Sequence, residues 1–186
     1  MRHSTTDIIV TAVNDNPAQG ILTMGNKVFP CQLGKQGIAL TKAEGDMKTP
    51  RGDFPLRTVF YRYDKLSKPI YSQVPMMALL EEDGWCDDPN DRAYNQPVML
   101  PYHASAESLW RDDDAYDVIV VLGHNDDPVE KGKGSAIFLH VAQEASNDTD
   151  DGTEDGTEGC IALKKQDLLE ILPTLSPQTT LKVRMN

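Results

Sequence analysis

Two apolar runs in the chain have no polar position at all. They are Val118-Ile119-Val120-Val121-Leu122 and Ala136-Ile137-Phe138-Leu139. A run without alternation predicts a strand covered on both faces, so both are expected at the centre of a sheet. Ile8-Ile9-Val10-Thr11-Ala12-Val13 is rich in β-branched residues and reads as a strand near the start. Residues 20–33 read as a hairpin turning at Gly25-Asn26, a two-residue connection that suits the twist of paired strands. Residues 180–185 alternate apolar and polar side chains, which predicts a last, half-exposed strand. The clearest helix covers residues 165–172. Leu168, Leu169, Ile171 and Leu172 would face the sheet, and Pro173 would stop it. Residues 64–111 carry Pro69, Pro75, Pro89, Pro97 and Pro101 and read as a long excursion shaping one side of a cleft. The pattern as a whole predicts a mainly β sandwich with long loops and one or two short helices, forming one domain over residues 1–186.

Charge narrows the class of partner. The chain has 29 acidic and 18 basic residues and a formal net charge of −11. Clustered Lys and Arg are needed to neutralise phosphates or to hold an anionic membrane surface, so neither a nucleic acid nor such a surface is expected. Six acids fall between Asp148 and Glu158, in an insertion placed at residues 144–158. Asp151-Gly152-Thr153-Glu154 is followed directly by Asp155-Gly156-Thr157-Glu158, a four-residue tandem repeat that predicts a solvated loop. Asn147, Thr149, Asp151, Gly152 and Glu158 fit a calcium loop only in part. No apolar run approaches the ~20 residues of a membrane span.

Three cysteines allow one disulfide at most, so the chain is not stapled by bridges. Cys160 is the one with a chemical setting. It follows Thr157-Glu158-Gly159, and His140 ends the second apolar run. A thiol attacks as thiolate, and an imidazole can take its proton. A glycine before it permits a tight turn and close approach of a substrate to amides able to hold an oxyanion. Packing is the competing role for any cysteine, and it is the expected one for Cys86 beside Trp85.

In these residues the chain resembles the L,D-transpeptidase catalytic domains of the YkuD family. The resemblance rests on His140, the Thr157-Glu158-Gly159-Cys160 turn, and Thr49-Pro50-Arg51-Gly52-Asp53-Phe54. Residues 42–46, 83–89, 94–95, 109–113 and 134–140 look like a divergent branch of that family. The chain departs from it in having His124 before Asn125 where the branch usually has an aromatic, in a longer spacer between His140 and Cys160, and at two further positions. Glu158 stands where most members have His or Arg, and Ala162 stands where many have Arg. The resemblance implies a YkuD-like sandwich with Cys160, His140 and Gly159 catalytic and no cofactor or metal. It further implies that peptidoglycan stem peptides are acyl donor and acceptor. A crosslinking transpeptidase is expected, acting as a monomer. An L,D-carboxypeptidase or a silent peptidoglycan-binding domain is the alternative. Such substrates lie outside the cytoplasmic membrane, which implies the periplasm or cell envelope. Residues 1–7 do not read as a leader, so that segment would have been trimmed or another export route used, with the cytoplasm as the alternative. Thr157, Arg111, His124, Asn125 and Trp85 are expected around the substrate. Arg111 has the planar fork that fits a carboxylate, or else pairs with one of the acids 112–114 or with the Asp87 region. His124 either lines the cleft or ends its strand by a hydrogen bond. His3, His103, His124, His140 and Cys160 lack the short spacings of a zinc site.

Overall fold

The computed structural model describes residues 7–13, 15–143 and 156–185. The chain opens with β1 (Ile8–Val13), β2 (Asn16–Met24) and β3 (Lys27–Gln32), then short β4 (Ile38–Ala39) and β5 (Thr49–Pro50). The long β6 (Gly52–Tyr61) leads into the excursion, which contains β7 (Met76–Ala78), β8 (Asp83–Cys86), β9 (Pro97–Met99) and β10 (Ala106–Ser108). There follow β11 (Val118–Leu122), β12 (Phe138–Val141), β13 (Ile161–Leu163), the helix α1 (Lys165–Ile171) and β14 (Thr180–Arg184).

The main sheet runs in the order β11-β12-β13-β3-β2-β1-β14-β6-β7, and β6 also pairs with β11. That last pairing closes eight strands on themselves, so the sandwich has no open edge between its two layers. The β2–β3 hairpin turns at Gly25-Asn26 as expected, with Met24 opposite Lys27 and Gly25 at φ 62°. Side-chain alternation then sorts residues to two sides of the sheet. Ile8, Val10, Leu22, Leu139, Val141, Ile161, Leu163, Leu181 and Val183 enter the enclosed core. α1 caps it with Leu168 and Ile171, the latter followed by buried Leu172. Pro173 does not end the helical path. The α-helix stops at Ile171, and Leu172–Thr174 continue as a 3₁₀ turn, because proline near the start of a new turn loses no needed hydrogen bond.

The opposite face of β11 and β12 is covered as well. Phe60, Ile119, Val121, Phe138 and Cys160 form a second cluster with Leu79, Trp85 and Leu109 from the excursion and Ala115 and Tyr116 from the segment that follows it. This explains the two unbroken apolar runs: one face lines the core and the other lies beneath the excursion. The excursion is more ordered than a loop-rich reading expects. β8, β9 and β10 form their own three-stranded sheet, and β7 joins the edge of β6. Phe138, fully buried and ringed by Trp85 and Tyr116 edges at 5.2 and 6.0 Å, ties that cover to the sheet. Its burial is worth about 2–3 kcal/mol.

Candidate active site

The turn entering β13 is fixed from both sides. The Thr157 hydroxyl donates to the Cys160 carbonyl at 2.6 Å and accepts from the Gly159 amide at 3.1 Å. Thr49 donates to the same carbonyl at 3.4 Å and accepts from the Gly34 amide at 2.9 Å. Gly159 has φ 146°, and a Cβ there would lie 2.9 Å from the Lys48 carbonyl oxygen, so only glycine fits. The hydroxyl of Thr157 thus shapes the turn that carries Cys160.

Strand register places the two candidate side chains on one face of the sheet. β12 and β13 run parallel, with Leu139 opposite Ile161 and His140 opposite Ala162. Leu139 and Ile161 point into the core, so Phe138, His140, Cys160 and Ala162 share the other face. The Cys160 sulfur receives the Phe138 amide at 3.3 Å and donates its proton to the Ala136 carbonyl at 3.1 Å. Burial pushes the thiol up to about 12. The Glu107 charge adds to the rise, the Phe138 amide and the Lys42 ammonium oppose it, and Glu158 makes a small upward contribution. Cys31 is also pushed to about 12, by burial alone. The difference between the two thiols therefore lies in the polar groups around Cys160, not in its exposure.

His140 is likewise covered. Its Nδ1–H donates to the Val141 carbonyl at 2.9 Å, which leaves Nε2 as the basic nitrogen of the neutral ring. Burial lowers its pKa to about 4. The resting site accordingly holds a neutral thiol and a neutral imidazole, not a preformed ion pair. The Tyr116 ring meets the imidazole edge-on at 5.3 Å, and its hydroxyl donates to Glu107 Oε1. Burial holds the Glu107 carboxyl above the usual range, against that hydrogen bond and the nearby Arg111.

The expected substrate residues are mostly occupied by the protein itself. Arg111 grips Asp113 with Nε and Nη2 and lies over Tyr116, its charge centre 5.2 Å from the ring centroid. The ion-pair alternative is the one the structure adopts. The His124 ring stacks edge-on against Phe54 at 5.6 Å and bonds the Lys133 carbonyl at 2.9 Å. Asn125 closes its own loop through Glu130 and Gly134. Trp85 donates Nε1–H to Asn95 Oδ1 at 3.0 Å. Among the described residues no three His, Cys, Asp or Glu side chains gather as they would around a metal. Asn147, Thr149, Asp151 and Gly152 of the calcium reading, and His3 of the zinc reading, lie outside the described residues.

Several contributors were not among the expected site residues. Asn95 is 6% exposed and fills its amide's capacity, accepting from Trp85 and the Ala136 amide and donating to the His124 and Asn125 carbonyls. It joins the excursion to the loop whose Ala136 carbonyl holds the thiol proton. Lys42 is 8% exposed, paired with Asp46 and close to Gly159. Glu107 and Tyr116 come from the excursion and its return. A cavity of about 240 Å³, lined by Phe60, Trp85, Asn95, Val121 and Phe138 among others, adjoins this framework without including Cys160 or His140.

The sequence profile described as YkuD, L,D-transpeptidase catalytic domain, matches residues 11–184. The chain belongs to the YkuD family. No curated protein matches it. Among solved structures it is similar to Mycobacterium tuberculosis L,D-transpeptidase 1, with 12% identity and a TM-score of 0.37 over 97% of this chain and 63% of that one. An L,D-transpeptidase from Mycobacterium smegmatis gives 13% identity and a TM-score of 0.38 over 96% and 59%. The chain thus spans about six-tenths of the length of these two proteins. Membership in the YkuD family establishes an L,D-transpeptidase-type catalytic domain, and the mainly β closed sheet agrees with the architecture the resemblance implied. Among the described residues no helix is long and apolar enough to cross a membrane.

Proposed function

We propose that this YkuD domain transfers an acyl group through a thioester on Cys160, with peptidoglycan stem peptides as donor and acceptor. One observation carries the reading. Cys160, at the entrance to β13, lies on the same face of the sheet as His140 of the adjacent β12, and the sulfur is bracketed by an amide donor and a carbonyl acceptor. Since both groups rest neutral, proton transfer accompanies attack. The thiol proton moves to His140 Nε2 as sulfur bonds to the donor carbonyl carbon. The C–N bond then breaks, and His140 returns the proton to the departing amine. The Gly159 amide is engaged by Thr157, so the oxyanion falls to the Cys160 amide. An amine then attacks the thioester and forms a crosslink, whereas water would give a carboxypeptidase.

A silent binding domain would leave this thiol–imidazole register without a use, although Glu158 and Ala162 depart from the family pattern. Thiol reactivity separates the two. Alkylation of Cys160 is expected to slow in His140→Ala while Cys31 and Cys86 stay unreactive. Equal reactivity of Cys160 with and without His140 would remove the imidazole from the chemistry.

A further inference from the structure

Glu107 stands opposite Trp85 across β10 and β8, and Trp85 packs on Phe138, whose amide faces the Cys160 sulfur. Its Oε1 accepts from Tyr116 and lies 4.0 Å from Arg111 Nη1. Its Oε2 receives no hydrogen bond from the described residues, and the side chain is 29% exposed. The neighbouring Asp87 adds negative charge, and its buried Oδ1 has no partner among the described residues. Arg111, the cation 4.0 Å from Glu107, is held bidentately by Asp113, which also takes Gln143. A partly exposed carboxylate oxygen is therefore left open on the residue that holds Tyr116, whose ring meets His140 edge-on, and its charge reaches the Cys160 thiol. Such a group suits a cation, and the reaction brings one: the ammonium of the acyl acceptor.

We infer that Glu107 binds the acceptor's ammonium group through Oε2 and takes its proton, so that a neutral amine attacks the acyl-Cys160 thioester. This rests on the acyl-transfer reading above. The ammonium gives one proton to the carboxylate, and its freed lone pair forms the C–N bond. The C–S bond breaks, the second N–H proton passes through His140 to the leaving sulfur, and Glu107 later releases its proton to solvent. Arg111 then keeps Glu107 and Tyr116 in place instead of clamping a substrate carboxylate. Water needs no cation site, so Glu107 would set the balance between crosslinking and trimming.

The test uses purified disaccharide-tetrapeptide with wild type, Glu107→Gln and Glu107→Asp. Mass spectrometry follows the acyl-enzyme, the crosslinked dimer and the tripeptide. Glutamine still accepts from Tyr116, so the fold is kept. Removing a negative charge that disfavours the thiolate should speed acylation at neutral pH, while the dimer-to-tripeptide ratio falls about tenfold, or ~1.4 kcal/mol. The deficit should close at alkaline pH, where the amine is already neutral, and Glu107→Asp should retain more of the ratio than Glu107→Gln. An unchanged ratio, or acylation and crosslinking falling in parallel, would overturn the inference. Wild type that acylates but yields only tripeptide would overturn it alone. Wild type that never acylates Cys160 would remove the acyl-transfer reading as well.

Discussion

Replacing Asn95 by alanine removes four hydrogen bonds at once and tests whether this one amide holds the excursion onto the nucleophile loop. The Trp85 indole N–H is buried and the Ala136 amide partly so, and both lose their acceptor. The His124 and Asn125 carbonyls lie in partly buried surroundings where water can replace the lost donors. An orphaned buried donor costs about 1–3 kcal/mol, and the two together about 2–4 kcal/mol. Asn95 also has φ 59°, a left-handed conformation that costs alanine about 1 kcal/mol more than asparagine. The expected destabilisation is therefore about 3–5 kcal/mol. With an m-value of ~2 kcal/mol per M, the urea midpoint should fall by roughly 2 M. Asn95→Gly should be milder by about 1 kcal/mol, since glycine accepts the same backbone. The Ala136 carbonyl holds the Cys160 proton, so alkylation of that thiol should also quicken as the loop loosens. A loss below ~1 kcal/mol for Asn95→Ala, with unchanged thiol reactivity, would show that the excursion is held by packing alone.

Three further outcomes follow from the same geometry. The alkylation rate of Cys160 should rise about tenfold per pH unit through the neutral range, because burial has pushed the thiol to about 12. Glu107→Gln should move that profile down, the exposed Glu158→Gln less, and Lys42→Met should move it up. An upward shift for Glu158→Gln would mean that the acid supports the His140 charge instead. His140 has a folded pKa of about 4 against an ordinary 6.5, so the unfolded chain binds the proton first. Stability should be full above the unfolded value and fall by ~3 kcal/mol as pH drops through that window, a loss absent in His140→Gln denaturation curves. Deleting residues 151–154, one copy of the repeat, should leave turnover within about tenfold, since the remaining copy restores Thr and Glu before Gly159-Cys160. A thousandfold loss would give the acidic insertion a specific role.

The sheet was legible because its strands obey simple periods. The hairpin at Gly25-Asn26 and the unbroken runs at 118–122 and 136–139 announce a core, and the structure builds it from those residues. The Gly159-Cys160 turn was legible because a glycine ahead of the cysteine permits the positive φ that the turn adopts. What stayed hidden depends on long-range placement. Asn95 sits in a stretch dense in prolines, and nothing local reveals that its amide reaches both Trp85 and Ala136. Glu107 reads as one more acid in an acidic chain until the β8–β10 pairing sets it opposite Trp85, where Tyr116 bonds to it. Arg111 illustrates the converse. A guanidinium suggests a carboxylate clamp, but the sequence does not say whether the carboxylate belongs to a substrate or, as here, to Asp113 two residues away.

The most direct measurement is intact-protein mass spectrometry during incubation with purified disaccharide-tetrapeptide, followed by analysis of the products. The expected result is a transient acyl adduct on Cys160 and accumulation of crosslinked dimer or trimmed tripeptide, with both absent from Cys160→Ala although that variant remains folded. Product formation at near-normal rates by Cys160→Ala would contradict the cysteine acyl-enzyme, and a wild-type protein that leaves the tetrapeptide untouched would contradict acyl transfer on this substrate.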